Sequence, residues 1–219
     1  MHDDRPPAGR SADRGPLVVG VTGGIASGKS VVARELAGED GVLVDADREA
    51  HAVLASPEVA ELVRARFGGD ALDADGRPLR GVLAERVFSD PEARAELESW
   101  IHPRVRDRIH AALAHAGSAP VVVLDVPLLL ENDDAHGLAR ACDVLVHVDA
   151  PLVEREARAQ RDRGWPPGEV ARRERTQIAQ DEKRSRADVV LANDGDLSDL
   201  REAARRLRRR LLDRPARRT

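Results

Sequence analysis

The eight residues Gly23-Gly24-Ile25-Ala26-Ser27-Gly28-Lys29-Ser30 constrain the fold more than any other stretch of the chain. They match a glycine, four residues, a second glycine, then Lys and Ser, a pattern whose backbone N–H groups cradle phosphates. Glycine lets the backbone wrap tightly enough for successive N–H groups to converge on phosphate oxygens. Such a loop belongs between a buried strand and a helix, whose positive N-terminal end adds to the grip. Both flanks are present: the apolar run "LVVGV" at 17–21 precedes it, and "SVVARELAG" takes helical spacing and stops at Gly38. Lys29 is then placed to bridge the outer phosphates and Ser30 to ligate Mg²⁺. Of 35 basic residues only Lys29 and Lys183 are lysine. A chain so biased toward arginine keeps lysine at 29, where a compact ammonium on a flexible stem fits and a guanidinium fork does not. The motif specifies a nucleotide, not a reaction, since GTPases, transport ATPases and small-molecule kinases share it.

After the loop and its helix, "GVLVDAD" predicts a second strand at 41–45. Strand, helix, strand in this order points to parallel strands joined by helical crossovers. Between 48 and 117 the pattern turns helical, punctuated by Pro57, Pro78, Pro91 and Pro103. Strand signals resume at 121–125, 144–148 and 189–192, with helices expected near 151–163 and 198–212. We expect a disordered leader over 1–16 and one α/β domain over 17–215, then a basic tail over 213–219. Within the domain the core is 17–50 and 118–212, with a helical insertion at 51–117 and a lid at 160–186.

Aromatic residues are 2% of a chain that is 42% hydrophobic, so the core must be aliphatic. A net charge of -4 argues against a general nucleic-acid coat protein. The arginines instead gather over 201–218. There Leu200, Ala203, Ala204, Leu207 and Leu211 form an apolar stripe with arginines opposite, which favours an amphipathic helix over a polyanion contact. The single cysteine, Cys142, allows no internal disulfide and suits a reducing cytoplasm. No apolar run approaches the ~20 residues of a membrane span.

Candidate acceptor-side groups follow the strands. In open parallel sheets ligands bind beyond the carboxyl ends of the strands. Asp45 and Asp47 close the second strand, where a carboxylate can orient an acceptor hydroxyl and take its proton, or where the pair merely caps the next helix. Asp125 closes "VVVLD" and either holds Mg²⁺ through water or simply ends the strand. Glu131 faces substrate or solvent, and His102-Pro103 is either a site histidine or a helix break. Arg158, Arg161 and Arg163 follow the fourth strand and run into a Gly-Trp-Pro-Pro turn; arginines over the phosphates would neutralise developing charge. Spacing does not choose among them.

Taken in order, "VGVTGGIASGKSVVA", "VDADREAH", "LRGVLAERVF", "IHPRV", "VPLLLEN" and "EKRSRADVVLANDG" resemble the dephospho-coenzyme A kinase family, from about Val18 to Leu212. The resemblance implies a P-loop fold of nucleoside-monophosphate-kinase type: a parallel five-stranded sheet flanked by helices, a helical substrate-binding insertion and a lid. It implies transfer of the ATP γ-phosphoryl to the 3′-hydroxyl of dephospho-coenzyme A, with Mg²⁺, as the last step of coenzyme A synthesis. By position, Asp47 resembles the family's acceptor-side carboxylate and Arg158 its phosphate-facing arginine. Gly24, Ile25, Ala26, Ser27, Gly28, Lys29, Ser30, Val31 and Asn193 fall at ATP-binding positions, and Arg80, His102, Glu131 and Gln177 at substrate-side positions. Val31 stands where the family commonly has Thr, and "ARAQRDRGWPP" leaves the second lid arginine open between Arg161 and Arg163.

Two other readings compete. A shikimate-type kinase also places paired aspartates after strand two, but needs a much shorter insertion than the helical block here. A nucleic-acid motor or NTPase switch would use the arginine-rich end as a phosphate contact that weakens steeply with salt.

Overall fold

The computed structural model describes residues 15–213. The expected leader, apart from Gly15 and Pro16, and the basic tail, apart from Asp213, lie outside the described residues. The chain opens with β1 (Leu17–Gly23), α1 (Lys29–Ala37) and β2 (Val42–Asp45). A helical block follows: α2 (Ala46–Leu54), α3 (Pro57–Phe67), α4 (Arg80–Ser89) and the long α5 (Pro91–Ala114). The sheet resumes with β3 (Val121–Asp125), then α6 (Asp133–His136) and β4 (Val144–Asp149). Last come α7 (Leu152–Arg163), α8 (Glu169–Glu174), α9 (Gln180–Arg186), β5 (Val189–Ala192) and α10 (Leu197–Leu212).

The five strands are all parallel, in the order β2-β3-β1-β4-β5. β3 is buried at all five positions, as expected where helices cover both faces of a parallel sheet and the strand reads as unbroken Val and Leu. Alternation sends its side chains to two separate cores. Val121 and Val123 join Val19, Val21, Val146 and helices α1 and α10 on one face. Val122 and Leu124 join Val53, Val59, Val63 and Ile109 of the helical block on the other. The core shared with α1 and α10 is aliphatic, as the composition requires, whereas the core of the helical block departs from that expectation by burying Phe67 edge-on against Trp100.

α10 is the amphipathic helix expected over this stretch. Leu200, Ala204, Leu207 and Leu211 are buried on the sheet side. On the flanks Arg201 and Arg205 pair with Glu35 of α1, and Arg208 pairs with Asp40. These arginines are engaged by their own chain, which is the amphipathic-helix reading. A second finding corrects one of the two readings of His102-Pro103. α5 runs unbroken through Pro103, although proline removes one helical hydrogen bond. Buried Ala93 before it and buried Val105 and Ile109 after it tie both halves to the same core, so the pair is not a break.

The strand order also locates the site. The chain steps from β1 past β3 to β2, then from β3 across β1 to β4. Crossovers on the two sides of β1 leave a crevice at its carboxyl end, where open α/β sheets bind ligands.

Candidate nucleotide and acceptor site

The 23–30 loop leaves β1 at this crevice and turns into α1. Gly23 has φ 149 and Gly28 φ 96, and Ala26 takes the left-handed conformation at φ 59. A Cβ on Gly28 would fall 2.7 Å from Asn193 Nδ2. That amide is fixed, because Nδ2 donates to the Ser27 carbonyl at 2.7 Å. Asn193, at the end of β5, therefore ties the far edge of the sheet to the loop. Lys29 Nζ donates to the Gly24 carbonyl at 2.9 Å. Burial lowers the Lys29 pKa, with Asp125 opposing the shift and Lys183 adding to it. A cavity of about 680 Å³ opens beside the loop, lined by residues 26–31 with Arg158, Arg161, Arg163, Asn193 and Leu197 among others.

The parallel register sets the carboxylates. Asp125 of β3 lies level with Asp45 of β2 on one side and with Val21 of β1 on the other. Asp125 is 8% exposed. Burial pushes its carboxyl above the usual range; Ser30 and Lys29 pull it down, while Asp45 and Asp47 push it further up. The Asp45/Asp47 pair is divided by the fold. Asp45 is the N-cap of α2, accepting the Arg48 N–H at 3.1 Å. Asp47, in the first turn of α2, is exposed and takes no part in that cap.

Among the arginines, Arg158 Nη2 donates to the carbonyl and side chain of Asn193 at 3.3 and 3.5 Å. Its Nη1 is buried with no hydrogen-bond partner among the described residues, the state expected of a donor reserved for a ligand. Arg161 pairs with its neighbour Asp162 at 2.7 Å. Arg163 stacks on Trp165 at 4.9 Å and lies near enough to Lys29 to lower its pKa.

Glu131 and Gln177 both turn to one residue that sequence reasoning passed over. Lys183, 2% exposed, forms an ion pair with Glu131 at 2.6 Å and donates to Gln177 Oε1 at 3.0 Å. The signal was present: it is the other lysine of an arginine-biased chain. Arg155 and Glu174 were also missed, and no local pattern marks them. Arg80 begins α4 and His102 lies mid-way along α5; both are exposed, and neither lines the cavity at the loop.

Comparison with known proteins fits this geometry. The family model for dephospho-CoA kinase matches residues 17–199. The chain belongs to the dephospho-CoA kinase family. A dephospho-CoA kinase from Thermobifida fusca is 40% identical over 186 residues, covering 84% of this chain and 90% of that protein. A crystal structure from Thermus thermophilus is 37% identical and superposes with a TM-score of 0.70, covering 90% of this chain and 99% of that one. The dephospho-CoA kinase structure from Campylobacter jejuni, at 23% identity and a TM-score of 0.66 over 90% and 97%, shares the fold. Membership makes the chain an ATP-dependent kinase acting on an alcohol group, in the final step of coenzyme A synthesis.

Proposed function

We propose that this chain phosphorylates the ribose 3′-hydroxyl of dephospho-CoA with the residues that meet at the carboxyl ends of β1, β2 and β3. The observation that carries the assignment is the register that sets buried Asp125 of β3 level with Asp45 at the end of β2 and with β1 just before it turns into the 23–30 loop. ATP lies along the 23–30 loop, its phosphates on the backbone N–H groups and on Lys29. The acceptor lies between the helical insertion at 51–117 and the end of β2, where Arg80 and His102 belong to the substrate side.

Asp47, left free by the capping role of Asp45, orients the acceptor hydroxyl and takes its proton. The acceptor oxygen bonds to the γ-phosphorus as the bond to the departing ADP breaks, in line. Arg158, with a guanidinium nitrogen that has no hydrogen-bond partner among the described residues, and Arg163, which lines the same cavity as Lys29, neutralise the charge that develops. The lid at 160–186 closes over the phosphates and excludes water that would waste ATP. Glu131 and Gln177 act through Lys183, which they hold.

Ser30 and Asp125 are the residues that would hold Mg²⁺. Ser30 lies in the first turn of α1 and Asp125 is buried at the carboxyl end of β3, where Ser30 is among the groups that pull its carboxyl down. Two hard oxygen donors suit an ion that takes one or two carboxylates and fills its remaining positions with phosphate oxygens and water. When bound, Mg²⁺ supplies positive charge to the β- and γ-phosphates.

We place the enzyme in the cytoplasm. Burial pushes the Cys142 thiol up to about 12, so the lone cysteine is an inert thiol. No helix among the described residues is long and apolar enough to cross a membrane. An ATP-consumption assay offering dephospho-CoA, shikimate, adenosine and nucleoside monophosphates side by side tests the assignment. Turnover is expected with dephospho-CoA; turnover only with another acceptor overturns it.

A further inference from the structure

Glycine at 24 makes room for a pair of side chains from outside the phosphate loop. A Cβ there would lie 2.6 Å from the Arg155 guanidinium and 2.8 Å from a Glu174 carboxylate oxygen. These two form an ion pair at 2.6 Å, with side chains only 6% and 12% exposed. Arg155 sits in the first turn of α7; Glu174 is the last residue of α8, inside the lid segment. The same Glu174 oxygen accepts the backbone N–H of Ile25 at 2.7 Å. Arg155 is anchored to the Ala150 carbonyl through Nε at 3.0 Å, and its Nη1 reaches the Ile25 carbonyl at 3.4 Å.

Residue 25 is therefore held on both sides, its N–H by the acid and its C=O by the base. The next residue, Ala26, is the one that takes the left-handed conformation, which a side chain disfavours. Such a turn persists only where its surroundings over-determine it. A carboxylate this close to a triphosphate would also repel it, unless its charge is matched nearby; Arg155 matches it.

We propose that Glu174, held by Arg155, is a positioning residue that fixes the turn of the phosphate loop from the lid. The affinity of the loop for ATP then depends on the docking of α8. This inference rests on the reading of residues 23–30 as the nucleotide grip.

Three variants test it by steady-state kinetics in ATP, thermal unfolding, and calorimetric titration with ATP alone. Glu174→Leu removes the hold on Ile25 and raises the KM for ATP about tenfold, the lower end for losing a hydrogen bond to a charged group. Arg155→Met leaves an unmatched carboxylate facing the phosphates and raises it further, about a hundredfold. The double variant Arg155→Met/Glu174→Leu has no buried charge left, so its melting temperature returns close to wild type. Its KM for ATP stays about tenfold high, because the Ile25 N–H still lacks its acceptor, while kcat changes less than about threefold. A purely structural pair would recover melting temperature and KM together, and that result overturns the proposal. So does an unchanged or lowered KM in Glu174→Leu; a lowered one would mean that the carboxylate had stood in the place of a phosphate. If a single variant does not fold, the double variant decides alone. Wild-type protein that binds no ATP fails the underlying reading, whereas normal wild-type binding with unshifted variants fails this inference alone.

Discussion

Replacing Lys183 by Met removes a charge while keeping most of the length and apolar bulk of the side chain. In the structure its ammonium is enclosed, with Glu131 at 2.6 Å and Gln177 at 3.0 Å. The side chains of the ion pair are 3% and 12% exposed. Taking away one member of such a pair leaves the other as an uncompensated buried charge, a loss of about 3–5 kcal/mol. One edge of Glu131 touches water, so we place the loss at the lower end, about 3 kcal/mol. A chain of this size loses about 2–4 °C per kcal/mol, so the melting temperature should drop by roughly 6–12 °C. Thermal unfolding followed by far-UV circular dichroism, with a urea titration beside it, measures the change. Lys183→Met/Glu131→Leu supplies the contrast: with both charges gone, most of the loss should return. The reasoning is refuted if Lys183→Met stays within about 1 kcal/mol of wild type, the value of an exposed pair, or if the double variant is no better than the single one.

Three further outcomes follow from the site. Asp47→Ala should keep wild-type affinity for ATP by calorimetry while turnover falls about 10²–10⁴-fold, the usual worth of a positioned general base; unchanged turnover would leave Asp47 no role. Burial raises the folded-state pKa of Asp125, so the stability it contributes is full below the ordinary carboxylate value of about 4 and lost as pH rises through the raised value. Asp125→Asn should therefore be more stable than wild type at neutral pH, a gap that closes toward acid in unfolding titrations, while turnover is mostly lost. Gly28→Ala must take φ 96 and press on a fixed amide and on Leu200. We expect a loss of about 2–4 kcal/mol in denaturant unfolding and no measurable ATP binding.

Much of the fold was legible because it is encoded at short range. The strands at 121–125 and 189–192 coincide with β3 and β5, since an unbroken Val-rich run bounded by turn residues has few other uses. The first strand extends two residues beyond its apolar run, to Gly23, because β4 continues to pair with it there. The phosphate loop could be read from glycine spacing, whereas the division of labour between Asp45 and Asp47 could not. Both are short acids that cap helices well, and only the direction in which α2 leaves β2 makes Asp45 the cap. Both Arg161 and Arg163 line the cavity, Arg161 paired with its neighbour Asp162 within α7 and Arg163 stacked on Trp165 in the turn that follows.

By itself the sequence determined the five strands, the helical character of 48–117 and of the segments that follow β4 and β5, and a loop of phosphate-binding pattern between the first strand and its helix. These are properties of periodicity and local backbone freedom, and a few consecutive residues contain them. The tertiary structure alone decided that β1 lies between β3 and β4, that Glu131 meets Lys183, and that Arg155 and Glu174 close on Ile25. Each of these joins groups far apart along the chain, and a charge selects its partner only after packing has brought the two together and removed the water between them.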